Sequence, residues 1–172
     1  CLGELDSEYV ANLERESVWL PGSQNFFNAF SLPLSQVKYL LLGESPYPRS
    51  ESANGYSFWD ASVESLWSES GLSKAVNRAT SFRNIVKMLL HARADLTDDF
   101  SQAAIANLDK GRYLKSAEDL FQSFMKRGIC LLNASLVYSP AKVKFHAKMW
   151  QPFMNQILEE LTMVRPDIQL IL

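Results

Sequence analysis

Three short apolar runs constrain this chain more than any other feature. They are Val37-Lys38-Tyr39-Leu40-Leu41-Leu42, Ile129-Cys130-Leu131-Leu132 and Ile168-Gln169-Leu170-Ile171-Leu172. Each has the length of a buried strand rather than a helix, and the first stops at Gly43. Helical patterns fill the space between them. Phe82, Ile85, Val86, Leu89 and Leu90 recur at helical spacing within 81–93, with Thr80 or Ser81 as cap. Ser116 and Asp119 match a capping box ahead of Leu120, Phe121, Phe124 and Met125, and Gly128 suits a helix-ending position. Trp150, Phe153, Met154, Ile157, Leu158 and Leu161 mark another helix, with Pro152 acceptable only near its first turn. A helix is also expected over 7–20, capped by Asp6 or Ser7 and stopped by Pro21-Gly22. Apolar strands alternating with helices predict an α/β fold, a three-layer sandwich around a central parallel sheet. Ligands then bind beyond the carboxyl ends of the strands.

With 172 residues, 47% of them hydrophobic, the chain suits a single domain over 1–172, with 1–36 as an N-terminal helical part. No apolar run approaches the roughly 20 residues that cross a bilayer, and no signal peptide opens the chain. It starts at Cys1 rather than Met, which suggests processing or a cut from a longer chain. Two cysteines, Cys1 and Cys130, cannot build a metal framework; one disulfide is conceivable, but Cys130 reads as a small core residue. No metal or cofactor is expected. The default setting is reducing and cytoplasmic, nucleoid-associated in a bacterium.

The net charge of −2 hides an asymmetry: 1–70 has a balance of −7, 71–150 of +7. A basic middle segment either attracts polyanions or spreads its charge over solvated helix faces.

The loop after the first strand reads GESPYPR at 43–49 and SESANGYSFWD at 50–60. Pro46 and Pro48 stiffen it, and Tyr47 and Phe58 offer flat surfaces for a planar ligand or simply fill a core. Glu44 brings a carboxylate to the strand mouth, with the Ser45 hydroxyl beside it. After the second strand, Asn133 stands where its amide can bond the edge of a base or cap a local turn. Lys142, Lys144, His146 and Lys148 then form an alternating basic stretch suited to phosphate, or an exposed loop without a ligand.

Together, GESPYPR, ANGYSF and LLNASL resemble the uracil-DNA glycosylase superfamily, most of all its uracil-specific branch. That branch has Gly-Gln-Asp-Pro-Tyr-His after its first strand, a Gly-x-x-Phe-Ser segment further on, and Leu-Leu-Asn-Thr after another strand. The viral members, with Pro after the Tyr, are the most similar at Tyr47-Pro48. The resemblance spans roughly 37–172. It implies a four-stranded parallel sheet, of which three strands are visible here, and a base flipped into a pocket at the strand ends. Phe58 would stack on the uracil, Asn133 would bond its Watson–Crick edge, and Tyr47 would exclude the thymine methyl. Ser81 matches a segment that grips the DNA backbone, and His146 falls near a Ser-His of a DNA-facing loop.

Two departures bear on the chemistry. The family's water-positioning Asp is Ser45 here, with Glu44 adjacent as a conceivable substitute. The family's His-Pro-Ser-Pro-Leu segment is absent, so the chain is expected to be incomplete at its C-terminus. The resemblance thus implies a monomeric DNA N-glycosylase of base-excision repair acting on uracil-containing or single-stranded DNA, with weak or altered activity. An inactive glycosylase-like module binding DNA or a protein partner stays open, as does a small-molecule enzyme sharing the fold.

Overall fold

The apolar run at 37–42 becomes the central strand of a parallel sheet because both its neighbours are equally apolar. The computed structural model describes residues 2–16 and 18–171. Strands β1 (Tyr39–Gly43), β4 (Ile129–Asn133) and β5 (Gln169–Ile171) are all parallel, in the order β4-β1-β5. Two strands sequence reasoning did not anticipate, β2 (Trp67–Ser68) and β3 (Gly71–Leu72), form a separate antiparallel hairpin. The helices are α1 (Ser7–Arg15), α2 (Lys74–Arg78), α3 (Thr80–Ala92), α4 (Gln102–Ala106), α5 (Ala117–Lys126) and α6 (Val143–Val164). The expected α/β fold class, with helices flanking a central parallel sheet, holds.

The chain divides into two compact units, 1–57 with 124–172, and 58–123. The first carries the sheet. Its core brings Leu40 of β1 and Leu132 of β4 together with Tyr9 of α1 and Trp150 and Phe153 of α6. Cys130 lies in that core as a free, buried thiol that burial pushes up to about 11. Cys1, the partner in the conceivable disulfide, lies outside the described residues, as do Ser17 of the expected 7–20 helix and Leu172 of the third strand.

Helix α1 starts as expected, with Asp6 accepting from Tyr9 N at 2.8 Å. It stops at Arg15, before the expected end, because Leu20 exchanges two 2.9 Å backbone bonds with Tyr138. An extended partner satisfies that backbone as well as a helix would. Helix α6 begins before Trp150, so Pro152 lies in its interior rather than its first turn. The proline forgoes one backbone bond there, the one that its missing N–H would give to the Lys148 carbonyl.

In the second unit, the capping box forms as read: Ser116 Oγ accepts from Asp119 N at 3.0 Å and donates to its carboxylate at 2.7 Å. Gly128, just past α5 in the first unit, has φ +87, and a Cβ there would lie 2.5 Å from Gln36 O. Helix α3 is capped by Ala79 without a side-chain bond, so neither Thr80 nor Ser81 is the cap. Gln102 holds the β2–β3 hairpin, accepting from Leu72 N at 3.1 Å and donating to Leu72 O at 3.0 Å.

Candidate base-recognition site

At the carboxyl end of the sheet, Gly43 and Asn133 are register partners. Pairing continues past the strands: Ala134 N donates to Gly43 O at 2.8 Å, and Ser135 N to Glu44 O at 3.0 Å. The main chain of Glu44 is therefore fixed against the loop that follows Asn133. Outward from there, the Glu44 side chain is exposed, Ser45 half-buried, Pro46 buried and Tyr47 half-buried. Asn133 is only 2% exposed. No hydrogen bond joins its amide to another described residue. Unlike His146 Nε2, its amide is not fully cut off from solvent, so it stands open to a partner at the end of the strand.

Ser57 escaped sequence reasoning, although the motif ANGYSF contains it. It is fully buried, with its N–H on Leu131 O and its hydroxyl on Leu41 O, both at 3.1 Å. Leu41 and Leu131 are themselves register partners, so this serine ties the returning loop to both strands. The loop also needs Gly55, whose φ is +86 and whose Cβ would fall 2.0 Å from Asn25 O. Phe58 follows Ser57 directly, half-buried, with a φ of 61°. It opens the second unit. A hydroxyl directly before a candidate stacking aromatic was the signal available for Ser57.

The basic stretch needs correction. Lys142 is the N-cap of α6, and Lys144, His146 and Lys148 lie inside that helix rather than in a loop. Steps of two residues turn about 200° around a helix, so the four cannot share one face. Lys144 and Lys148 are exposed, while His146 is 1% exposed and unavailable to a surface phosphate. Its Nδ1 lies 2.7 Å from Tyr9 Oη, which accepts from Trp150 Nε1 at 2.9 Å. With Trp150 donating, the phenol proton points to Nδ1, and the neutral imidazole keeps its proton on Nε2. Nε2 is buried without a partner. Lys142 Nζ meets Glu16 Oε1 at 2.5 Å. Ser81 is exposed in the first turn of α3, in the second unit.

Burial, reinforced by the Lys142 charge and opposed by Glu16, holds the His146 pKa below its ordinary value. The unfolded chain therefore has the greater proton affinity. Stability is fully present above about pH 6.5 and is lost as pH falls through that value toward the folded-state one. Urea midpoints between about pH 7.5 and 5 should drop more steeply for the wild type than for His146→Gln. Parallel curves would contradict this account of His146.

Among the described residues, no helix is long and apolar enough to cross a membrane, and no three His, Cys, Asp or Glu side chains gather where a metal ion could bind.

No family model matches the chain. Solved structures and curated proteins do. The wild-type UNG structure from Nitratifractor salsuginis is 39% identical with a TM-score of 0.86, covering 93% of this chain and 66% of that one. A point mutant of the same protein gives 33% identity and a TM-score of 0.86, covering 99% of this chain and 78% of that one. Uracil-DNA glycosylase 1 of Listeria monocytogenes is 32% identical over 143 residues, 82% of this chain and 51% of that protein. The uracil-DNA glycosylase of Streptococcus mutans is 26% identical over 168 residues, 96% of this chain and 63% of that protein. The chain thus spans about half to just under two thirds of the length of these curated relatives.

Proposed function

Because the chain belongs to the uracil-DNA glycosylase superfamily, we propose that it takes a uracil flipped out of DNA and hydrolyses its N-glycosidic bond, as a step of base-excision repair in the cytoplasm. The observation that carries this reading is Asn133, a residue only 2% exposed whose amide bonds no other described residue, at the mouth of two parallel strands. An amide presents a donor and an acceptor together, the pair that matches the N3–H and a carbonyl of uracil. Tyr47 walls the base against a methyl at C5.

Bond cleavage leaves positive charge on the sugar and negative charge on the departing base, and water adds to the sugar carbon. Three things help: a positioned water, a nearby anion, and a donor to the base. Asn133 supplies the donor in part. Ser45 can orient water but adds no charge, whereas Glu44, held through its carbonyl by Ser135, brings a carboxylate to the strand mouth. The reaction is accordingly slow, with Glu44 as its anion.

The assay is release of uracil from single-stranded uracil-containing DNA by the complete gene product, read by alkaline strand cleavage. Ser45→Asp should raise the rate, and Glu44→Gln should remove the residual activity. Fast release that survives Glu44→Gln would reassign the water-activating group. The neutral Ser45 also favours a second reading, a module that binds DNA without cleaving it. DNA binding with no uracil release from either the wild type or Ser45→Asp would select that one.

A further inference from the structure

We infer that Asn28 is a positioning residue for the loop that follows β1. Its side-chain amide ties the returning end of that loop to a turn anchored on β4, and so sets how readily the site accepts a base. The identity of the base rests on the proposed function; the tie itself rests on hydrogen-bond geometry.

Residues 44–57 leave β1 at the strand mouth and come back to the sheet at Ser57. They carry Ser45 and Tyr47. A connection of this length loses much conformational freedom when it is ordered, and Pro46 and Pro48 stiffen only its outgoing half. The returning half is held from outside, by residues 21–31. Asn28 Nδ2 donates to Asn54 O at 2.9 Å and to Asn25 Oδ1 at 3.2 Å. Asn25 Nδ2 in turn donates to Pro21 O at 3.4 Å. Ser31 Oγ and Tyr56 Oη share a hydrogen bond of 3.1 Å. Between these bonds Gly55 lies so close that a Cβ would fall 2.0 Å from Asn25 O and 3.1 Å from Asn28 Cβ. Asn54 also folds the stretch on itself, its Oδ1 accepting from Tyr56 N at 3.1 Å.

The far side of the tie is equally fixed. Asn28 opens a 3-10 turn, Asn28–Phe30. Ala29, the next residue, is 2% exposed, and its carbonyl accepts from Cys130 Sγ at 3.4 Å. Cys130 belongs to β4, the strand that ends at Asn133. Ser57 refers to the same strand through its N–H on Leu131 O. One half-buried amide therefore joins a turn and a loop that are both registered on the strand presenting Asn133. A loop ordered before the base arrives costs less to close around it. A loop that is open part of the time weakens binding in proportion, while the rate within the closed complex stays the same.

Steady-state uracil release, hydrogen exchange and circular dichroism together test this. Because the proposed reaction is slow, KM reports binding. Asn28→Ala should raise KM by about 3- to 10-fold, the worth of one partly buried hydrogen bond, with kcat within about twofold of wild type. Asn28→Asp keeps the shape but removes the donor, and should match it. Gly55→Ala should raise KM further, since its methyl forces the loop off Asn25. In Asn28→Ala the amides of Tyr56 and Ser57 should exchange faster, while those of β1 keep their protection.

Unchanged KM in both Asn28 variants overturns the assignment, as does a fall in kcat at constant KM. Exchange that quickens throughout β1 also overturns it, because Asn28 would then merely stabilise the fold. A wild type that releases no uracil sinks the proposed function instead. The exchange arm then decides the tie alone: local loosening at Tyr56 and Ser57 upholds it, and its absence overturns it.

Discussion

Asn133→Ala is expected to lower uracil release by about 10²- to 10³-fold while leaving the fold intact. The magnitude is that of removing one preorganised polar group aimed at developing charge. The structural cost is small because the amide makes no hydrogen bond to another described residue, so its loss leaves no protein group unpaired. The register contact to Gly43 is made by backbone and survives. Single-turnover uracil release, with circular dichroism as the fold control, tests this. A rate within a few-fold of wild type would remove Asn133 from base recognition.

Trp150→Ala should destabilise the first unit by about 3–5 kcal/mol, the usual cost of emptying a large aromatic site. Trp150 is fully buried, edge-to-face with Phe26 at 5.4 Å and with Phe153 at 5.2 Å. Its indole N–H is also the donor that fixes the Tyr9 hydroxyl. Burial, with Glu16 adding and this bond opposing, already pushes the Tyr9 phenol up to about 12. Trp150→Phe should keep much of the packing and cost less, mostly through the lost donor. Urea unfolding followed through the remaining tryptophans gives both values. A loss below about 1 kcal/mol for Trp150→Ala would mean that this core relaxes around the missing ring.

The parts that were legible in the sequence share a physical property: they are specified locally. The three strands lie on short, mostly apolar runs, and the Ser116–Asp119 box closes over three residues. The place of Asn133 at the end of a strand was legible because the apolar run stops there. The parts that were missed depend on distant partners. The β2–β3 hairpin has two-residue strands, too short for any period, and takes its support from Gln102, 30 residues beyond Leu72. His146 read as one of a basic series, and its burial is decided by Tyr9, 137 residues away. The start of α6 was misplaced because its charged first turns masked the pattern and Pro152 suggested a beginning. Ser57 could be noticed beside Phe58, but its partners could not be read, since they are backbone carbonyls and every residue has one.

The division of the chain has a consequence for the order of events during synthesis. The second unit is one uninterrupted stretch, 58–123, whereas the first is assembled from 1–57 and 124–172. Strand β1 therefore leaves the ribosome well before β4, its hydrogen-bonding neighbour, and α1 long before His146. Closing those long loops costs entropy that only late contacts repay. The inserted stretch can acquire its helices and hairpin first, while Leu40 and its apolar neighbours wait unpaired. During that interval the nascent sheet strand is the segment most in need of a chaperone, although in the finished protein Leu40 is among the most deeply buried residues.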